Sequence, residues 1–160
     1  MKYEDIPVVT SFLPKQEGKS AATPHQLRES STAVQTPLVQ TPLVQRLRDG
    51  FPMAEFHLLQ DLLRISEEEL GRFLGISPAT LHRRKKTGHL ETSESERVVR
   101  FARLFGLAME VFESKDATRE WLKTGNPGTA GESPLSYADT EFGAREVENL
   151  MGRIDHGVFS

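Results

Sequence analysis

The chain has 160 residues, room for one ordinary domain with an extension or for two small ones. It contains no cysteine, which excludes disulfides and thiolate metal sites and suits a reducing cytoplasm. The net charge is −3, no apolar run approaches the roughly 20 residues of a membrane span, and no basic-then-apolar leader opens the chain, so a cytoplasmic protein without a membrane partner is expected.

Residues 1–50 are expected to form an irregular or extended arm. Proline recurs at positions 7, 14, 24, 37 and 42 among many Ser, Thr and Gln, with little apolar periodicity. Within the arm lies a tandem repeat, Gln35-Thr36-Pro37-Leu38-Val39 followed by Gln40-Thr41-Pro42-Leu43-Val44. Two copies are too few for a solenoid, and a proline every five residues argues against one continuous helix. The repeat reads either as an arm that docks elsewhere or as a duplication in a tolerant linker.

Folded sequence resumes near Phe51-Pro52. From Met53 to Ile65, Phe56, Leu59, Leu62 and Leu63 follow helical spacing. Ser66 then opens a new helix as a capping box with Glu69, and Gly75 should end it, since a positive φ turns the chain without a Cβ clash. Ser77 caps the next helix with Pro78 at its first position. Two helices joined by about three residues make a helix-turn-helix. Leu70, Leu74, Ile76 and Leu81 should hold the pair together, and Gly71 should let the helices approach closely.

The second helix is cationic, as a DNA reader must be. Thr80, Arg83 and Arg84 are candidates for base edges, because an arginine fork matches guanine O6 and N7, while Ser77, Lys85 and Lys86 suit phosphates and His82 shares their face. One reading helix makes few contacts, so a homodimer, or an assembly with another protein that pairs two readers, is expected. The competing reading is a plain helical hairpin with a solvated charged face.

A long, largely apolar helix should run from Thr92 to Phe112, with Arg97, Arg100 and Arg103 along one edge. Those arginines either pair with Glu94 and Glu96 or touch DNA backbone. A shorter helix is expected from Asp116 to Lys123, then a flexible stretch from Gly128 to Pro134, then a last helix from Glu141 to Asp155 with Val147, Leu150, Met151 and Ile154 on its apolar face. No β signal of comparable strength appears, so the fold class is all-α: a helix-turn-helix bundle (51–105) followed by a small helical domain (106–160).

Charge is uneven along the chain. Residues 1–63 carry 6 basic and 7 acidic side chains, residues 64–103 carry 9 and 6, and residues 104–160 carry 5 and 10, giving −1, +3 and −5. The basic middle suits phosphates; the acidic last third would be repelled by DNA and suits a cationic protein surface. Catalysis has little support. The histidines at 25, 57, 82, 89 and 156 lack metal-ligand spacing, there is no cysteine nucleophile, and no glycine-rich phosphate loop follows a strand, so neither a metal nor a cofactor is expected.

The order of a helix-turn-helix, an apolar helix, Asp116-Ala117-Thr118-Arg119-Glu120-Trp121-Leu122, Asn126-Pro127, Ser133-Pro134-Leu135 and the run from Gly143 to Gly157 resembles the Xre/MbcA/ParS antitoxins over roughly residues 55–160. The chain departs from the family between Asn-Pro and Pro-Leu, where Gly128-Thr129-Ala130-Gly131-Glu132 replaces an apolar residue and paired glycines. The resemblance implies a type II antitoxin, not an enzyme, whose C-terminal domain binds and occludes a RES-domain toxin that consumes NAD, and whose helix-turn-helix binds the operator of its own operon. Implied toxin contacts are Arg145, Glu148, Asn149 and Arg153 on the last helix. His156, Phe159 and the carboxylate of Ser160 would reach toward the toxin's pocket, where an acidic tail would compete at a cationic NAD site. A helix-turn-helix repressor without a toxin partner is the alternative, and it leaves the acidic last third unexplained.

Overall fold

The computed structural model describes residues 8–13 and 40–157. Within them the chain is all-α: α1 (Val8–Ser11), α2 (Gln40–Asp49), α3 (Met53–Leu63), α4 (Glu67–Phe73), α5 (Pro78–Thr87), α6 (Thr92–Phe112), α7 (Lys115–Lys123), α8 (Pro134–Tyr137) and α9 (Glu141–Asp155), with a 3₁₀ turn at Pro127–Thr129. Among these residues the sole β pairing is one isolated bridge, Pro52 with His89. It ties the entry of α3 to the exit of α5 through Leu90 N–H to Phe51 O at 2.8 Å and Met53 N–H to Gly88 O at 2.9 Å.

Helix α6 is the frame. Its 21 residues bury Val98, Phe101, Ala102, Leu104, Phe105, Ala108 and Met109, so the helix is covered on several sides. Helices α1, α2 and α3 pack on it, and α7 and α9 pack on it in turn, giving one continuous apolar core. Phe101 meets Phe73 of α4 edge to face at 6.4 Å, which joins the helix-turn-helix to the same core.

Local sequence sets the helix ends. Ser66 accepts from Glu69 N–H at 3.1 Å, Gly75 takes φ +67°, and Ser77 accepts from Thr80 N–H at 3.2 Å. A Cβ on Gly71 would lie 3.3 Å from the Ile76 carbonyl oxygen, so that position admits only a close approach. α3 stops at Leu63 rather than Ile65. Arg64 goes left-handed (φ 51°), which drops Ile65 into the core ahead of the Ser66 cap. Arg119 of α7 donates to the Leu62 carbonyl at 2.7 Å, satisfying an acceptor that the end of α3 leaves open.

Two segments differ from the expected irregular arm. The second repeat copy, Gln40 to Val44, begins α2, because Pro42 sits in the first turn, where its missing N–H costs nothing. The first copy, Gln35 to Val39, lies outside the described residues. Val8 and Val9 of α1 are buried against α3 and α6, and the buried Glu55 carboxylate accepts both their amides, at 2.8 and 3.1 Å, while pairing with Arg46 of α2 at 3.1 Å. Gly106 completes the seat: a Cβ there would collide with the Phe12 carbonyl.

The stretch expected to be flexible closes into a compact turn. Gly131 N–H donates to Asn126 O at 2.9 Å, Thr129 Oγ1 donates to Glu132 O at 2.5 Å, and Thr129 is buried. Ser133 and Pro134 then start α8, and Thr140 caps α9 by accepting from Gly143 N–H at 3.1 Å.

Candidate functional site

The reading helix presents Ser77, His82, Arg83, Lys85 and Lys86 to solvent, with Thr80 half-buried beside them. Ser77 and Thr80 hydroxyls lie 3.0 Å apart at the helix start, and Lys85 pairs with Glu67 of α4 at 2.6 Å. Arg83 and Lys86 form no ion pair among the described residues, so both charges are available.

Arg84 departs from its expected place at a base edge. It falls three residues after Leu81, on the inward face of α5, and is 8 % exposed. Its guanidinium donates to Glu94 through Nε at 2.9 Å and Nη2 at 3.1 Å, and also pairs with Glu91. Glu94 accepts the Glu91 N–H at 2.8 Å as well, so one carboxylate both caps α6 and anchors α5. The Glu94 hydrogen bond, helped by Glu91, outweighs burial and raises the already high pKa of Arg84, which keeps it charged. It positions the reading helix and is not free for DNA.

The α6 arginines do not pair with Glu94 or Glu96. Arg97 donates to the Leu74 carbonyl at 2.5 Å, satisfying an acceptor at the end of α4. Arg100 bonds Glu141 at 3.2 Å and the Asp139 carbonyl at 2.8 Å, and Arg103 meets Glu141 at 3.1 Å and Glu148 at 2.8 Å. Thus α6 is clasped to α9 along one edge.

Glu148 therefore turns toward α6 rather than outward. The stripe Ala144, Glu148 and Met151 faces the frame with the half-exposed Glu141 at its edge, and the stripe Arg145, Asn149, Arg153 and His156 is exposed. Phe142, which sequence reasoning passed over, heads the outward stripe and is 74 % exposed. Phe159 and Ser160 lie outside the described residues.

The clasp predicts an acid response. Burial pushes the Glu141 carboxyl up, but Arg103 and then Arg100 more than reverse this, and its pKa sits below the ordinary 4.5. A depressed carboxylate stabilises the fold above its unfolded pKa and loses that contribution as pH falls through the folded one. The Glu141 contribution to stability should therefore be complete above about pH 4.5 and fade below it, and Glu141→Gln should lessen the acid loss of melting temperature. An identical acid profile in Glu141→Gln would contradict the clasp.

Comparison with known proteins settles the family. A model of the antitoxin Xre-like helix-turn-helix domain matches residues 42–103, and one of the antitoxin Xre/MbcA/ParS C-terminal toxin-binding domain matches residues 107–157. A Yersinia enterocolitica protein named Antitoxin Xre is 36% identical over 75% of this chain and 82% of its own length. The chain belongs to the Xre antitoxin family. A second Antitoxin Xre, from Photorhabdus laumondii, is 34% identical over 71% of this chain and 78% of its own. A Sphingobium protein named Prs ADP-ribosylating antitoxin is 25% identical over 71% of this chain and 78% of its own. The two matched regions of this family member meet within α6, so its helix-turn-helix and toxin-binding domains share one helix. Among its described residues no helix is long and apolar enough to cross a membrane.

Proposed function

We propose that the chain is the antitoxin of a type II toxin–antitoxin pair. Residues 106–160 bind a RES-domain toxin and occlude its NAD site, and residues 51–105 bind the operator of the shared operon. Inhibition is steric and electrostatic, so the chain itself catalyses nothing and needs no cofactor. The observation that carries this reading is the toxin-binding-domain match across α7, α8 and α9, which coincides with an α9 stripe that is exposed among the described residues. The name of the Sphingobium relative links that protein to ADP-ribosylation, a reaction that consumes NAD, and this supports an NAD-consuming partner.

For DNA, Arg83 reads a base edge while Ser77, Lys85 and Lys86 hold phosphates, with Thr80 and His82 between them. Two readers come together in a cytoplasmic homodimer or in a complex bridged by toxin. For toxin, Arg145, Asn149 and Arg153 make the helix contacts, and His156, Phe159 and the Ser160 carboxylate enter the pocket.

Co-purification with the product of the adjacent reading frame, followed by mass measurement, tests the partnership. A stable complex containing both chains is expected, and two proteins that elute apart would favour a repressor acting without a toxin. Removing residues 155–160 should leave the complex intact and weaken inhibition of NAD loss by at least about tenfold, as expected when a pocket-filling anchor is truncated. Undiminished inhibition would exclude the tail from the mechanism.

A further inference from the structure

Acidic charge in the last third of the chain suggests a cationic partner, but the fold redistributes that charge. Glu148 is engaged by Arg103 on the inner side of α9, and Glu141, half exposed at the edge of the helix, is engaged by Arg100 and Arg103. The outward stripe reads Phe142, Arg145, Asn149, Gly152, Arg153 and His156, at the three- and four-residue steps of one helix face, and every member is exposed. Its formal charges are Arg145, whose side chain is 72 % exposed and 3.9 Å from Glu141, and Arg153, which forms no ion pair among the described residues. Glu146 lies half-buried on the flank, and Asp155 lies beyond Arg153 at the helix end. Arginine is thus the charge at the open centre of the face, with Glu141, whose side chain is 48 % exposed, and Glu146 at its edges.

Its head is apolar. Among the described residues, Phe142 and Val44 alone are large hydrophobic side chains left exposed, and Phe142 is the more exposed, 74 % against 44 %. Apolar aromatics ringed by polar groups act as anchors of protein interfaces, where burial of the ring supplies the affinity and rim charges set orientation. At the other end Gly152 has open space where a Cβ would stand, so a partner's backbone can approach the helix there.

We propose that the toxin seats on this stripe with an apolar socket for Phe142, rimmed by carboxylates that face Arg145 and Arg153. The inference rests on the reading of residues 106–160 as a toxin-binding domain and adds the chemistry of the surface that fits it. It also places carboxylates of the partner opposite the two arginines, where the summed charge of the segment suggests only cations. DNA would explain the two arginines but not an exposed phenylalanine between the frame and the solvent.

The test uses the full chain and the purified product of the adjacent reading frame, with affinity measured by calorimetry. Phe142→Ala should weaken binding by at least about thirtyfold, the effect of truncating an interface anchor. The double reversal Arg145→Glu with Arg153→Glu should weaken it by a similar factor, while Glu110→Lys, on an exposed part of α6, should leave it unchanged. Melting temperatures of the variants confirm that the fold persists. Unchanged affinity in Phe142→Ala, or tighter binding in the double reversal, would overturn the proposed surface while the toxin partnership stands. Loss of operator retention with intact toxin binding would assign the stripe to DNA instead. Failure of the unmodified chain to bind the product at all would overturn the partnership itself, and this surface with it.

Discussion

Replacing Arg83 and Lys86 together with Glu is expected to abolish retention of operator DNA while leaving toxin binding intact. Both side chains stand on the open face of α5, and neither is held by an ion pair among the described residues. A bidentate arginine contributes about 1–3 kcal/mol of base discrimination, and each lost phosphate contact flattens the salt dependence of binding by about one unit of slope. Reversing two charges in each of two readers should weaken binding by at least about a hundredfold. Gel retardation at several salt concentrations, beside a toxin-binding titration, checks it. If DNA and toxin binding fail together at unchanged melting temperature, the two surfaces are not separate.

Glu94→Ala should produce a large loss of stability. It leaves the buried Arg84 with Glu91 alone and strips the first turn of α6 of its reciprocal cap. Removing one partner of a buried ion pair costs about 3–5 kcal/mol, and here the outer edge of the pair touches solvent, so about 3 kcal/mol is expected. For a domain of this size that is a fall of roughly 10 °C in melting temperature. Glu94→Gln keeps an acceptor for the guanidinium and should lose roughly half as much. If the proposed DNA surface is right, Glu94→Ala should still retain operator DNA well below its melting temperature, because Arg84 is engaged within the fold. A melting temperature within about 2 °C of the parent would show that Arg84 is not held as described.

These outcomes separate what the sequence disclosed from what it hid. Caps and breakers act over three or four residues, so Ser66, Gly75, Ser77 and Pro78 could be read directly, and α6 and α9 have the expected ends. The inward turn of Arg84 was also legible in principle, since it repeats the Leu81 position one turn later, but the cationic run around it suggested a uniformly exposed face. Side-chain partners far apart in sequence were not legible. Glu55 meets Val8 across 47 positions, Arg100 meets Glu141 across 41, and Arg119 meets Leu62 across 57. Val8 and Val9 are too short a run to announce a helix, and their burial depends on a carboxylate and a glycine supplied by α3 and α6. The same long-range pairing conceals the sign of the α9 face. Counting charges gives −5 for residues 104–160, whereas placing them ties Glu141 and Glu148 of α9 to arginines of α6 and leaves Arg145 and Arg153 outside.

Shared use of α6 gives the two surfaces one mechanical frame. Glu94 near its start fixes the reading helix, and Arg100 and Arg103 farther along fix α9. Anchoring of this kind lowers the ordering cost that a surface pays at the moment of contact.

The most direct trial of the central claim is NAD consumption by the purified toxin, followed in the presence of increasing amounts of this chain. Stoichiometric chain should stop NAD loss, and the chain alone should consume none. Continued NAD loss at saturating chain, with the two proteins shown to be folded, would contradict the assignment of this antitoxin to an NAD-consuming partner.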